Sequence, residues 1–478
     1  MDYMAKIDRA ALEPQQGSGA NNREVDHRSF LGAAAALCGT LAAIISIPAD
    51  PRPSGALIWP AVWCSIGLLT APLLGLRNSI QTILRTENLL MIGLIYWLLL
   101  DLLQGAYPID VSYDDVSLAF TALGTMAVGI WVGTLGTGWS PPQLVLRVAK
   151  RQFSSAMLFR ALWVAFFLGM FYFAYSSDFD LSIMIEALGW CRFCAPWSTT
   201  ESGGWNAFVV HLQYFGFVLP SLTVLIAHRE GWLRPKAIVG TILSIVMVMF
   251  FAQGGGRRVI GVVIGAALLT WLVLQVRLRP KFLIGGLIGA ILILVFMELM
   301  FQVRTFGYSA SYQETGLRSQ ALVRVDDNFL RLCQIMHFVP DVQPYVDLQP
   351  LYYALAMPIP RALWEGKPSD PGYNLPKLLG FRGASLSQSI IGELYAMHGL
   401  IVVFLGGLIF GRIANMWNKI LDVSGADRSM IYGIGVMILF TGLRSTLDLV
   451  IMSYGLLGWF VIVGLLPHTR SEALPTPG

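Results

Sequence analysis

The sequence predicts an all-α polytopic membrane bundle of about twelve spans, N-in and C-in, with one long outer loop between spans nine and ten. Three observations carry that expectation. Of 478 residues, 55% are hydrophobic and only 13% charged, with a mean hydropathy of +0.62, whereas soluble domains carry about 25% charged residues. Apolar runs of about 17–25 residues recur along the chain, the length that crosses roughly 30 Å of hydrocarbon. Only helices satisfy so many backbone groups inside lipid. Third, the cations are distributed unevenly between alternate loops.

The first 29 residues are polar and of mixed charge, too long and too acidic for a signal-peptide start, so they read as a cytoplasmic tail before a true span. Spans follow at 30–48, 55–75, 88–107, 116–137, 157–175, 206–227, 236–253, 259–276 and 282–302. Then come an outer loop over 303–388 with short helices, spans at 389–411, 428–444 and 449–467, and a cytoplasmic tail over 468–478. With the N-terminus inside, the short inner loops hold fifteen Lys and Arg. The short outer loops hold five: Arg52, Arg192, Arg257, Arg258 and Arg444. That bias sets the orientation.

Arg257 and Arg258 run against it. They stand in FAQGGGRRVIG, between two apolar runs. One helix over 236–276 would be about 60 Å long, so the glycines form a hairpin turn and the arginines open the eighth span. Either these arginines snorkel to outer headgroups, or they line an anion cradle. In the second reading glycines allow close backbone approach, the helix N-terminus adds partial positive charge, and guanidiniums offer a fork to phosphate oxygens.

The outer segment Val303 to Gln388 is 86 residues long, with eight basic and seven acidic residues and eight prolines. Loops of this length usually serve a function. Its VRVDDNFLRLCQIMHF stretch (323–338) reads as an amphipathic helix with Phe329, Leu332, Ile335 and Met336 on the apolar side. Asp326 and Asp327 either cap it or, with Arg324 and Arg331, hold a sugar. In PIPRALWEGKPSDPGYN, four prolines stiffen the chain. There Arg361, Trp364 and Lys367 suit a sugar ring and a phosphate, unless the segment is only a structural cover.

Glu393, at the start of span ten in SLSQSIIGELYAMHG, is an ionisable residue just inside a span and so a functional candidate. Ser389, one turn earlier, is placed to orient it, and His398 reads as a packed polar residue. Arg304 at the end of span nine, with Arg444 and Asp448, would complete a charged crown, the last two alternatively forming a plain salt bridge. No HExxH, ligand-spaced histidine set or GxSxG is present, and no nucleic-acid footprint; no metal or cofactor is expected. Cys191 and Cys194 read as a disulfide or two free thiols rather than a metal site.

The arginine-bearing outer hairpin, VDDNF, PIPRALWEGKP and IIGELYAMHG together resemble the oligosaccharide repeat-unit polymerase (O-antigen polymerase-like) family of bacterial inner-membrane proteins. The resemblance spans roughly residues 236–415 by motif, and the rest by hydropathy alone. It implies a metal-independent, inverting glycosyltransferase acting at the periplasmic face on undecaprenyl-pyrophosphate-linked saccharides, with the bilayer and other polysaccharide-assembly proteins as partners. Arg257, Arg258, Arg361 and Lys367 would then surround the pyrophosphate. From the residues alone, Glu393 is the expected base, with Asp326 or Asp327 behind it. A polysaccharide ligase and a lipid-linked glycan transporter are the alternatives.

Overall fold

The computed structural model describes the backbone of residues 18–466, apart from 78, 192, 200–205, 254–255, 276–278, 304–322, 324, 360, 362, 369, 381–385, 387 and 424. Every regular element among the described residues is helical. Among the described residues, ten helices are long and apolar enough to cross a membrane. In chain order the elements used below begin with α1 (Ser18–Ile45), α2 (Ile58–Gly75), α3 (Thr86–Leu103), α4 (Tyr113–Gly133), α5 (Gln143–Lys150) and α6 (Ser155–Ser176). They continue with α7 (Phe208–Glu230), α8 (Pro235–Gln253), α9 (Arg257–Val273), α10 (Pro280–Val303), α11 (Asn328–Phe338) and α12 (Gln349–Ala356). The last three are α13 (Ser389–Asn418), α14 (Arg428–Gly442) and α15 (Thr446–Leu465). At 17 and 15 residues, α9 and α14 occupy the positions of expected spans eight and eleven but fall below the length of the ten.

Two apolar cores organise the bundle. One gathers α6 to α9 with α14 and α15, and the other α1 to α4 with α11 and α13. Within lipid, helices associate by close packing rather than by the hydrophobic effect, which favours small residues at crossings. The α4–α13 crossing shows this. A Cβ on Gly411 would lie 2.0 Å from the Ile130 carbonyl oxygen, and one on Gly407 would lie 2.5 Å from that of Met126.

The helix at expected span ten, Ser389–Asn418, is apolar and long enough to cross a membrane but is not continuous. Helix α13 breaks at His398 (φ −159°, ψ 46°) and Gly399 (φ +67°), a conformation that favours glycine. A Cβ on Gly406 would meet Leu394 at 2.4 Å, although those residues stand about 18 Å apart along an unbroken helix. The polar half 389–397 therefore folds back onto 400–418, and the second half alone, about 28 Å long, is long enough to span. The reason is local: Glu393 and the Ile390 N–H find partners at the α14–α15 turn, and the Ala396 carbonyl finds one in the loop. Val346 N–H bonds to the Ala396 carbonyl at 2.9 Å, and Ile390 N–H to that of Leu443 at 3.1 Å.

Two separate helices stand on either side of the glycines, α8 ending at Gln253 and α9 beginning at Arg257, while the expected turn at Gly254 and Gly255 lies outside the described residues. The amphipathic stretch forms as α11, five residues shorter at its start than expected, with Phe329, Leu332, Ile335 and Met336 all buried. Cys191 and Cys194 are joined in a disulfide.

Candidate functional site

Helix α14 runs antiparallel to α9, with Gly433 against Ala266 and Gly265 against Met437, so the end of α14 meets the start of α9. Helix α3 runs parallel to α14, its Thr86 beside Tyr432 and its Trp97 donating to the Phe440 carbonyl at 2.9 Å. These alignments bring one end of the bundle together: the end of α3, the start of α9, the first half of α13, the α14–α15 turn and loop residues 325–327.

There a chain of five charges forms from residues far apart in sequence. Arg257 Nη2 donates to Asp326 Oδ1 at 3.2 Å. The other carboxylate oxygen of Asp326 accepts from Arg444 Nε at 2.5 Å. Arg444 Nη1 then reaches Asp448 Oδ2 at 2.5 Å, and Asp448 Oδ1 accepts from Arg258 Nη1 at 2.6 Å. Cation and carboxylate alternate, and an arginine stands at each end. Asp448 is fully buried, its own backbone N–H bonded to Ser445 Oγ at 3.0 Å. Burial alone would raise the Asp326 pKa, but Arg444 and Arg257 beside it hold the carboxyl below its ordinary range. The reciprocal effect raises the pKa of Arg444, as Asp326 and Asp448 outweigh its burial. The arginines differ in exposure. The Arg258 side chain is 39% exposed, against 11% for Arg257 and 17% for Arg444. Arg258 is thus the most exposed member of the chain, while Arg257 and Arg444 both hold Asp326 of the loop.

Glu393 lies beside this chain. Its Oε2 accepts from Thr446 N–H at 2.8 Å and from Thr446 Oγ1 at 2.6 Å, two residues beyond Arg444. Ser389 does not orient it: the Ser389 hydroxyl oxygen instead accepts from Gly392 N–H at 3.2 Å and closes the first turn. Tyr373, from the long loop, is buried with its hydroxyl unpartnered, and burial together with nearby Glu393 pushes its pKa well up.

Sequence reasoning missed Asp101. It is buried at the end of α3, accepts from Val325 N–H at 3.2 Å, and so holds the residue next to Asp326. The signal was present, since Asp101 is an acid in LIYWLLLDLL, and the rule that selects Glu393 selects it too. Just before it, residues Ile95–Leu99 form a π-helical turn, a feature frequent at functional sites. The Trp97 carbonyl there accepts from Asn328 Nδ2 at 3.1 Å.

The other candidates fall elsewhere. Asp327 takes the position before α11 without a capping bond from its side chain, and it pairs with Arg331 one turn on. Lys367 donates to the Met357 and Ile359 carbonyls at 2.8 and 3.0 Å, which braces its own loop. Its pKa is lowered by burial and by Arg361. Arg361 is exposed, and the Trp364 ring packs edge-on against Tyr352 at 5.8 Å. No described contact links these three to the arginine–aspartate chain. Arg304 and Arg324 lie outside the described residues. His398, exposed at the helix break, pairs with Asp347 at 2.7 Å. Among the described residues no group of His, Cys, Asp and Glu is arranged to hold a metal.

The fold and this cluster define a multi-pass helical membrane protein with a charged, partly buried centre at one end. No protein-family model, no curated protein and no solved structure matches the chain.

Proposed function

We propose that the protein polymerises lipid-linked oligosaccharide repeat units into a surface polysaccharide, as a metal-independent, inverting glycosyltransferase. In this reading it sits in a bacterial inner membrane with twelve spans and both termini inside. The charged end then faces the periplasm, where the donor is an undecaprenyl-pyrophosphate-linked saccharide. The observation that carries the reading is the arginine–aspartate chain with a buried carboxylate, Glu393, alongside it.

The chemistry follows from the charges. An acceptor hydroxyl attacks the anomeric carbon of the donor, the bond from that carbon to the phosphate oxygen breaks, and the lipid pyrophosphate departs with the electron pair. Preorganised guanidiniums stabilise that departing charge, with Arg258 in contact and Arg444 behind it. Glu393 accepts the hydroxyl proton. The only bonds described to Glu393 fall on Oε2, so Oε1 is the oxygen offered to the acceptor. Asp326 serves as the loop clamp rather than the base, because a guanidinium occupies each of its oxygens and makes it a poor proton acceptor. Arg361 and Trp364 are assigned to more distant sugars of the same substrate, and Lys367 to shaping their loop.

The test is to delete the gene and examine lipid-linked saccharides and surface polysaccharide by gel and mass spectrometry. Single repeat units without long polymer support the polymerase. Polymer of normal length stranded on its lipid carrier means a ligase. A transporter is the second reading, favoured by the broken helix α13, since interrupted helices line transport sites. Repeat units trapped on the cytoplasmic face would establish it.

A further inference from the structure

Helix α12 has two unlike faces. Pro350, Ala354 and Ala356 are buried and turn toward the bundle, where α12 packs against α15 and α13. The opposite face carries Leu348, Leu351, Tyr352 and Leu355, continued by Ile359 and Leu363, all exposed. Positions 348, 351, 352, 355 and 359 recur at helical spacing and make one stripe. Leu355 is 59% exposed and Leu363 68%. No charged residue occurs between Asp347 and Arg361. Contiguous apolar patches of this kind mark a protein or membrane contact.

We propose that this face of the long loop lies in the lipid–water interface of the bilayer, as an in-plane anchor beside α15. Four features select lipid as the occupant. Helix α12 packs directly on α15, a helix long and apolar enough to span, so its exposed face lies beside a candidate span. At eight residues, about 12 Å, α12 is too short to cross, but it fits the interface plane. The Tyr352–Trp364 pair at the edge of the stripe matches the aromatic belt of membrane proteins. Exposed Arg361 stands where the stripe ends, placed for an anionic headgroup. The anchor connects to the charged end by two short links, Val346 N–H to the Ala396 carbonyl and Asp347 to His398, both at the break in α13. The inference does not depend on the polymerase reading.

The experiment measures depth. A nitroxide is attached at Leu355→Cys in the full chain with Cys38→Ser, because Cys38 is the exposed free cysteine among the described residues while Cys64 and Cys333 are buried. A second labelled chain carries Leu363→Cys, in case the first fails to fold, and a reference label sits at exposed Asp370→Cys. In vesicles of phosphatidylethanolamine and phosphatidylglycerol, collisions with oxygen should be more frequent at 355 and 363 than at 370, and collisions with a water-soluble nickel chelate several-fold rarer. Equal access of the chelate to all three positions overturns the proposal. So does protection from both colliders: with dipolar broadening between labels it means a second copy covers the stripe, and without it another protein segment does.

Discussion

The two ends of the bundle both hold charge inside apolar surroundings, yet they are built differently. At the end away from the proposed site, Arg85 and Arg229 each pair with one carboxylate, whose other oxygen is taken up by a neutral group. Arg85 meets Glu87 at 2.5 Å, and the second Glu87 oxygen accepts from Asn418 Nδ2 at 2.6 Å. Arg229 pairs with Asp427 and bonds the Phe153 carbonyl, while Phe153 N–H closes the other Asp427 oxygen at 2.9 Å. These knots are closed and structural. At the site end the chain of charges begins and ends on arginine, and its last member, Arg258, is more than a third exposed on one carboxylate contact. Buried ion pairs are weak evidence of stability in themselves. The contrast teaches that what sets this cluster apart from a brace is that one terminal guanidinium, Arg258, stays exposed.

Substitutions can break this comparison. The largest effect is expected from Glu393→Gln, which keeps the shape and removes the base: polymer formation should fall about 10²–10⁴-fold in a membrane assay with lipid-linked donor. Normal turnover in that variant would remove Glu393 from the chemistry. Arg258→Gln should cost about 10²–10³-fold in the same assay, the value of one lost oxyanion donor, and weaken inhibition by free pyrophosphate. Arg258→Lys keeps the charge but loses the fork, so a loss of about 1.5 kcal/mol, roughly tenfold, is expected. A lysine chain with full activity would sharpen the role to a point charge. The smallest effect on catalysis should come from the other end: Asp427→Ala costs about 3 kcal/mol of stability, read as a lower melting temperature in detergent. Turnover per folded molecule should not change, and a specific catalytic loss there would erase the distinction between the two ends.

Much of the architecture was legible because each apolar run must be buried from water along its whole length, which makes hydropathy a long-range signal. Glu393 stood out because charge near lipid is costly, Arg257 and Arg258 because they run against the loop bias, and Asp326, Arg444 and Asp448 were also legible as charged candidates. How they pair was not. Arg258 and Asp448 are 190 residues apart, and Asp326 and Arg444 118, separations that no local pattern encodes. Ser389 was the near neighbour of Glu393, but Thr446, brought in by the α14–α15 turn, is its actual donor. The break in α13 was hidden for a different reason: one glycine in AMHGLIVVF reads as an ordinary interruption of an apolar run, and only the contact of Leu394 with Gly406 reveals the reversal. Lys367 was legible as a cation but not as one already engaged by carbonyls of its own loop.

The turn that supplies Arg444, Thr446 and Asp448 also has a consequence for biogenesis. Chains emerge N-terminus first, at about 5–20 residues per second, so these three residues leave the ribosome after Arg258, Asp326 and Glu393. Until α14 and α15 insert, Asp326 lacks its Arg444 contact, Arg258 lacks its carboxylate and Glu393 lacks the threonine that bonds it. The earlier spans can thread one after another into the membrane, but the charged cluster closes only when the α14–α15 hairpin arrives, so a chain stalled or cut before residue 444 would lack it.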